Sequence, residues 1–527
     1  MEQILKKLQR FNINIKLIDG KLCLDVPKGF NAESIFEEVK ANREELISHL
    51  KRKVKEDKHP RYKFRSEDYD FHLYQNDLKY YEVFCQQEKE YIRYKIIGKF
   101  DNNIAFTMAF DEIDFSIIER TLITIFERHE SLRTQYKFVN EVPMQYILDD
   151  FKVPFVFHDL TDSNHIELSL KEIFRDATGK SFDLENELPA SITLVKYSSK
   201  NSTLIFTIHH SSSDYNSIAI LKEEIAELYA AYKTNRDNAL GELKTQYRHY
   251  ACWVNSLINN EHGISMKNEY LSKIKCSILE SSLENLAGFL KTTGIGYRER
   301  LYNELKQYKI NGQSVIGKRA FGKIVNLIPE RGGIYSVTID VELFKRLEGS
   351  AAVYGVSPFI ILLATLVLTF YRFSKRRFTR VYVPFSTRVI EDFESIVGWL
   401  TSEVILCLEV PSNFSLKYFI KYVAKEFFAS SEYRFYPHEE ILNDLDVDLD
   451  MLVPIYFNYI RYSGHSVGDF YEGHKEDRSH FNMGITISEY ENRILMEIRY
   501  NLKTYSENNI EKFISLYKES LCQMVSN

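Results

Sequence analysis

Little in this chain marks it for the outside of a cell or for a membrane. Its 527 residues hold six cysteines and only two tryptophans. The cysteines stand apart at 23, 85, 252, 276, 407 and 522, with no C-x-x-C pair and no histidine at ligand spacing. That scatter excludes a disulfide scaffold and a zinc module, and reads as reduced thiols of a cytoplasmic protein. No signal peptide is expected, because Met1-Glu2-Gln3 leads into a polar amphipathic stretch. The most apolar run, 358–370, is shorter than the roughly 20 residues a bilayer requires and is expected to be a buried helix. A basic excess is missing as well: the formal charge of -6 argues against a dedicated nucleic-acid binder. There is no sequence repeat and no G-x-S-x-G nucleophile elbow.

What is present is an ordinary globular composition, 44% apolar, long enough for more than one domain at about 150 residues each. The chain is organised around Ile208-His209-His210-Ser211-Ser212-Ser213-Asp214-Tyr215. Leu204 to Ile208 is apolar and β-branched and predicts a buried strand. Ile218, Leu221, Ile225, Leu228 and Tyr232 recur at helical spacing and predict a helix from about Ser217, which Ser217 would cap. The histidines and the aspartate therefore occupy a strand-to-helix loop. Adjacent histidines leaving a strand point in opposite directions, so one can face a cavity while the other goes inward. An imidazole there can take a proton from an attacking amine or alcohol, worth about 10²–10⁴ in rate. No protein nucleophile is needed if the acyl group arrives activated as a thioester. A His-His pair also arises by chance, and a loop aspartate often does no more than cap the next helix.

Further stretches line up with the octet in order. They are Arg128-His129-Glu130-Ser131-Leu132-Arg133-Thr134, Pro143-Met144-Gln145-Tyr146-Ile147, Tyr247-Arg248-His249-Tyr250-Ala251-Cys252-Trp253 and Ile396-Val397-Gly398-Trp399-Leu400-Thr401. Together with the octet they resemble the RHExLRT, P-x-Q-x-I, Y-x-D-Y-A-x-W, IGxFVNT and HHxxxDG motifs of nonribosomal peptide synthetase condensation domains, relatives of chloramphenicol acetyltransferase. The resemblance covers roughly residues 66 to 527. His249 stands where the family has Asp, and Tyr215 where it has Gly. The opening S-x-A-Q-x-R motif is degenerate at Leu73-Tyr74-Gln75-Asn76-Asp77.

The first fifty residues form a separate unit. A helix is marked by Ile4, Leu5, Leu8 and Phe11. Ile13, Ile15 and Leu17 alternate, Asp19-Gly20 is a two-residue turn signal, and Leu22, Leu24 and Val26 alternate again, a β-hairpin. Two helices follow, the first capped by Asn31. This α-β-β-α-α order resembles the docking domain of the tubulysin-synthetase type. The resemblance implies that the hairpin edge accepts the acidic C-terminal tail of an upstream synthetase subunit by β-augmentation, with Lys16, Lys21 and Lys28 beside it.

The expected architecture is thus α/β: two chloramphenicol-acetyltransferase-like lobes in a V-shaped pseudo-dimer behind a small docking domain. The expected boundaries are 1–52 for docking, 53–65 for a linker, 66–245 for the N-lobe and 246–527 for the C-lobe. The resemblance assigns His210 as the group that deprotonates or positions the acceptor amine, with His209 as a supporting residue. Asp214 belongs to the catalytic loop, more as a structural group paired with Arg133 or, second, Arg128. Ser213 and Tyr215 are placed along the substrate tunnel, where Tyr215 adds bulk and disfavours positive φ. It also implies a donor acyl group on the phosphopantetheine of a partner carrier protein, an acceptor in trans on another carrier domain or as a soluble amine, and no bound cofactor, metal, nucleic acid or membrane. Two other readings stand beside it. One is a freestanding coenzyme A-dependent O- or N-acyltransferase. The other is a non-catalytic scaffold that recruits a carrier protein; an epimerase relative is a further variant. Three decoys are set aside. Gly312 to Lys318 nearly spells a phosphate loop, but Arg319 replaces the metal-holding Ser/Thr and no strand precedes it. Gly464-His465-Ser466 lacks the helix of a carrier attachment site. Ser211 to Ser213 cannot form a triad with neighbours in one loop.

Overall fold

The computed structural model describes residues 14–18, 21–25, 80–99, 102–140, 142–289, 309–310, 313–314, 330–436, 441, 455–461, 478–479, 482–490 and 493–525. The chain divides into two compact units, 1–69 and 70–527. In the first, β1 (Asn14–Ile18) and β2 (Lys21–Asp25) pair antiparallel with Ile18 opposite Lys21. This is the hairpin that the alternating apolar residues predict. Lys28, the flanking helices, the 53–65 linker and the Leu73–Asp77 stretch lie outside the described residues.

The second unit opens with β3 (Tyr81–Glu82), α1 (Cys85–Ile97), β4 (Asn103–Asp111) and α2 (Phe115–Arg128). β5 (Thr134–Val139), β6 (Val142–Ile147), β7 (Phe155–Asp159) and α3 (Ile166–Thr178) follow, then β8 (Ala190–Lys196), β9 (Asn201–His209) and α4 (Tyr215–Lys233). Four strands form a sheet in the order β4-β9-β8-β7, and β3-β6-β5 forms a smaller one. α2 and α4 bury Ile118, Leu122, Ile125, Leu221, Ile225 and Leu228 against Phe106, Phe206 and Ile208 of β4 and β9. Those helical residues recur three or four apart, so a single stripe of each helix covers the sheet. A buried core of this kind fixes where β9 ends, and therefore where the histidines stand.

α5 (Tyr247–Asn259) and α6 (Glu261–Phe289) connect the two halves. After β10 (Lys309–Ile310) and β11 (Gln313–Ser314), the second lobe runs β12 (Glu330–Ile339), α7 (Val341–Tyr354), α8 (Pro358–Ser374), β13 (Phe378–Ser386), β14 (Thr401–Glu409) and α9 (Leu416–Ser430). It closes with β15 (Ile455–Arg461), β16 (Arg478–Ser479), β17 (Met483–Glu489), β18 (Ile494–Asn501) and α10 (Glu507–Met524). Its mixed seven-stranded sheet has the order β14-β13-β15-β17-β18-β12-β16. α8 is buried on every side from Ile360 to Phe370, as an interior helix must be when it is apolar all round. Pro358 fits its first turn, where no N–H partner is needed. Among the described residues no single helix is long and apolar enough to cross a membrane.

Candidate functional site

β9 delivers the two histidines. Its ladder with β4 ends at the Asn103–His209 pair, and a 3-10 turn, His210–Ser212, leads to α4. Strand alternation sends the two rings to opposite sides. His209 is wholly buried and His210 half-buried. The His209 Nδ1 accepts the Ser211 N–H at 3.2 Å, which leaves the proton of the neutral ring on Nε2. Burial lowers the His209 pKa to about 4, with His210 and Arg93 adding to the drop and the Glu90 carboxylate opposing it. At neutral pH this ring is uncharged.

His210 is held from two directions. Its backbone N–H donates to the Asn102 carbonyl at 2.7 Å, and its Nδ1 lies 2.8 Å from the Ser213 carbonyl oxygen. A carbonyl only accepts, so the neutral ring carries its proton on Nδ1 and keeps a lone pair on Nε2. Nε2 has no hydrogen-bond partner among the described residues. The Trp399 indole lies on the ring face, with centroids 3.8 Å apart and planes at 22°. Beneath the turn, Tyr136 Oη donates to the Ser211 carbonyl at 3.2 Å, and Gln87 of α1 donates to that Oη.

Asp214 is the N-cap of α4, so the helix starts two residues before Ser217 and Asp214 does the capping. Its Oδ1 accepts the Ser217 N–H at 3.0 Å, a carboxylate at the positive end of a helix. Its Oδ2 accepts from Arg388, from the Leu400 N–H at 3.0 Å and from Thr401 Oγ1 at 3.1 Å. The ion pair with Arg388 corrects the expectation for Arg133 and Arg128. Arg133 donates instead to the Phe126 and Leu148 carbonyls, tying the end of α2 to the end of β6. Arg128 pairs with Glu224 of α4, which also meets His129 Nε2 at 2.6 Å. Burial would raise the Glu224 carboxyl, but His129 and Arg128 outweigh it and hold the carboxyl below its usual range. Both arginines therefore brace helices of the N-lobe, while Asp214 reaches a C-lobe segment, 387–401, that crosses to the histidine loop.

One further placement differs from expectation. Ser213 is fully enclosed, so it serves the site through its carbonyl, not as tunnel wall. Tyr215 is 40% exposed and is the first residue of α4 with no left-handed backbone, so the glycine freedom of the HHxxxDG pattern is not needed there. Ser217 Oγ is a junction: it accepts the Gly398 N–H at 3.1 Å and lies 2.9 Å from Asp214 Oδ1 and 3.0 Å from the Gly398 carbonyl. Arg388 and Trp399 went unrecognised in the sequence. Trp399 does stand inside the IGxFVNT match, whereas Arg388 falls in no motif. Gln87 was missed as well, although Phe84-Cys85-Gln86-Gln87-Glu88-Lys89 also fits the frame of the opening motif. A cleft of about 440 Å³ lined by Gln135, Phe151, Lys152, Lys180 and Glu187 contains neither histidine.

Two predictions arise from this geometry. A Cβ on Gly398 would fall 2.0 Å from the Tyr247 ring, whose Oη donates to the Trp399 carbonyl. Gly398→Ala is expected to destabilise the fold by about 1–3 kcal/mol, the usual range for overpacking. Gly349→Ala in α7 has open space and is expected to be neutral or stabilising. Urea unfolding of the two variants checks this, and a Gly398→Ala midpoint equal to wild type would contradict the close approach.

The second concerns acid. His249 Nδ1 accepts the Gln246 N–H at 3.0 Å, so a neutral imidazole caps α5 where the motif has a carboxylate. Burial, helped by Arg248, lowers its pKa to about 4. For both His209 and His249 the folded value lies below the unfolded value of about 6.5. The unfolded chain therefore binds protons first, and stability falls as pH drops from about 6.5 toward 4, by roughly 1.4 kcal/mol per pH unit for each ring. His249→Asn keeps an acceptor and removes one titration. Its melting temperature is expected to fall less steeply between pH 6.5 and 5 than that of wild type; equal slopes would refute the assignment.

The family profile "Condensation domain" matches residues 102–293 and 330–527. Gramicidin S synthase 2 of Brevibacillus brevis is 23% identical over 471 residues, covering 85% of this chain and 9% of that protein. Tyrocidine synthase 3 of Brevibacillus parabrevis is 21% identical over 455 residues, covering 84% of this chain and 6% of that protein. The chain thus spans less than a tenth of the length of these relatives. Among solved structures, one of condensation domain-mediated chain release from the enacyloxin polyketide synthase superposes with a TM-score of 0.65 at 14% identity. It covers 100% of this chain and 95% of that one. The epimerization domain from the third module of tyrocidine synthetase B gives 0.60 at 17%, covering 85% and 96%. The two sheet-based lobes are therefore of the chloramphenicol-acetyltransferase-like kind. Because the matched segments take in well over half of its length, this chain belongs to the condensation-domain family.

Proposed function

We propose that the chain joins an acyl or peptidyl group, delivered as a phosphopantetheine thioester on a separate carrier protein, to an acceptor amine. The observation that carries this reading is the His210 ring, held through Nδ1 at the Ser213 carbonyl, stacked on Trp399, with its Nε2 left without a hydrogen-bond partner among the described residues. The Nε2 lone pair accepts a proton, or a hydrogen bond, from the amine as its nitrogen attacks the thioester carbon. A tetrahedral intermediate forms, the carbon–sulfur bond breaks, and the proton passes to the departing thiolate. The acyl carbon arrives activated, so the protein supplies position and a proton acceptor instead of a nucleophile. The indole face supports an imidazolium through its π electrons while the proton is held.

The acceptor comes in trans, as a soluble amine or on another synthetase chain, and the 1–52 segment recruits the upstream synthetase by its tail. Support for that recruitment is the β1–β2 hairpin, whose ladder places Lys16 and Lys21 on paired strands. The setting is cytoplasmic, in keeping with five free cysteines among the described residues. The test is turnover of an octanoyl N-acetylcysteamine thioester with a panel of amino acids and simple amines, followed by product mass. An amide that forms with wild type and not with His210→Ala supports the reading. Deuterium wash-in at the donor α-carbon without amide would replace it with epimerisation.

A further inference from the structure

We infer that the outward face of α9 is the docking surface for an acidic, helical carrier protein; this rests on the reading above and names its partner surface. The helix divides sharply. Phe419, Ile420, Val423 and Ala424 are buried in the C-lobe core. On the other side Lys417, Tyr418, Lys421, Lys425 and Phe428 are all exposed. At 100° per residue these five side chains fall within one arc of about 100°, along some 16 Å of helix. Tyr418 is 60% and Phe428 59% exposed, among the largest apolar surfaces in the described part of the chain.

None of the three lysines has an ion-pair partner among the described residues. Lys273, by contrast, pairs with Glu426 of this same helix, on the side away from these three. A helix face combining three unmatched ammonium groups with two exposed rings suits a partner whose own surface interleaves carboxylates with apolar side chains. The aromatics supply the desolvated anchors and the lysines supply steering and register. The stripe sits on a chain of formal charge -6, so its positive character is local and would orient an acidic partner. A face one helix wide and three lysines strong is small for a membrane. It matches the size of a single helix-to-helix contact.

The test uses the full chain and a recombinant carrier domain of net negative charge, loaded with octanoyl-phosphopantetheine and labelled for anisotropy. Lys417→Glu/Lys421→Glu/Lys425→Glu is expected to weaken carrier binding at least tenfold, and Tyr418→Ala/Phe428→Ala to do the same at high salt, where the lysines are screened. Turnover of the small N-acetylcysteamine thioester is expected to stay at the wild-type rate in both variants. Carrier affinity unchanged in both would overturn the docking surface. So would loss of binding to vesicles containing phosphatidylglycerol in the triple variant with carrier affinity intact, which would make the face a membrane contact. If wild type binds the carrier and the variants do not, yet no small thioester is turned over, the surface stands and the catalytic reading falls.

Discussion

Asp214→Ala is expected to cost about 3–5 kcal/mol of stability, the range for leaving one partner of a buried ion pair behind. The carboxylate is 1% exposed and receives donors from both lobes. Removing it strands the Arg388 guanidinium, which is almost as deeply enclosed. It also leaves the Leu400 N–H with only the Gly398 carbonyl at 3.2 Å as acceptor, and uncaps α4. Arg388→Ala is expected to cost a comparable amount for the mirror reason, and the double variant less than the sum of the two. The activity of Asp214→Ala should then be lost because the two lobes no longer register. Urea unfolding followed by fluorescence of Trp399, which lies on the crossing segment, measures this in a Trp253→Phe background. Should Asp214→Ala unfold like wild type while inactive, the carboxylate would be acting on the reaction itself.

His210→Ala should behave in the opposite way. The ring is half-buried, and among the described residues its side-chain contacts are one hydrogen bond and one stacked indole. The unfolding midpoint is expected to stay within about 0.5 kcal/mol of wild type, as for sites outside the core. Amide formation is expected to fall by about 10²–10⁴, the range for a general base or an equivalent positioning group. His210→Asn preserves a donor toward the Ser213 carbonyl and removes the Nε2 lone pair. If Asn restores the rate, positioning is what the ring contributes; if Asn is as slow as Ala, the lone pair is. Trp399→Phe keeps a stacked face and should retain most activity, whereas Trp399→Leu should lose part of it and, because the indole is buried, some stability as well.

The sequence was most legible where local pattern decides structure. β9, α4 and α8 follow from apolar runs and helical spacing, and the histidine loop follows from the junction between two such patterns. The start of α4 was misplaced because Asp214 and Ser217 are both good caps three residues apart, and only the hydrogen bond from the Ser217 N–H shows which of them caps. The partner of Asp214 was missed for a different reason. Arg388 lies 174 residues away in sequence, in the other lobe, and no local periodicity reports a contact of that range. Arg133 and Arg128 were nearer and sat in a recognised motif, yet their carbonyl and Glu224 partners show that the motif braces helices. From about Trp253 to Ile334 the sequence reads only as a weak mixture of helix and connection, because in α6 polar residues interrupt the buried positions Tyr270, Leu271 and Ile274 over 29 residues. The substitution of His249 for Asp was visible, but not that a neutral ring could accept the same backbone N–H.

Everything turns on whether a thioester carried by another protein meets the free nitrogen of His210. The most direct measurement is the intact mass of a carrier domain loaded with octanoyl-phosphopantetheine after incubation with this chain and an amine. We predict that the carrier loses the acyl mass, that octanoyl amide appears in equal amount, and that His210→Ala, folded as wild type, leaves the carrier loaded. A carrier that keeps its acyl group with wild type, while octanoyl-coenzyme A is consumed under the same conditions, would contradict the account.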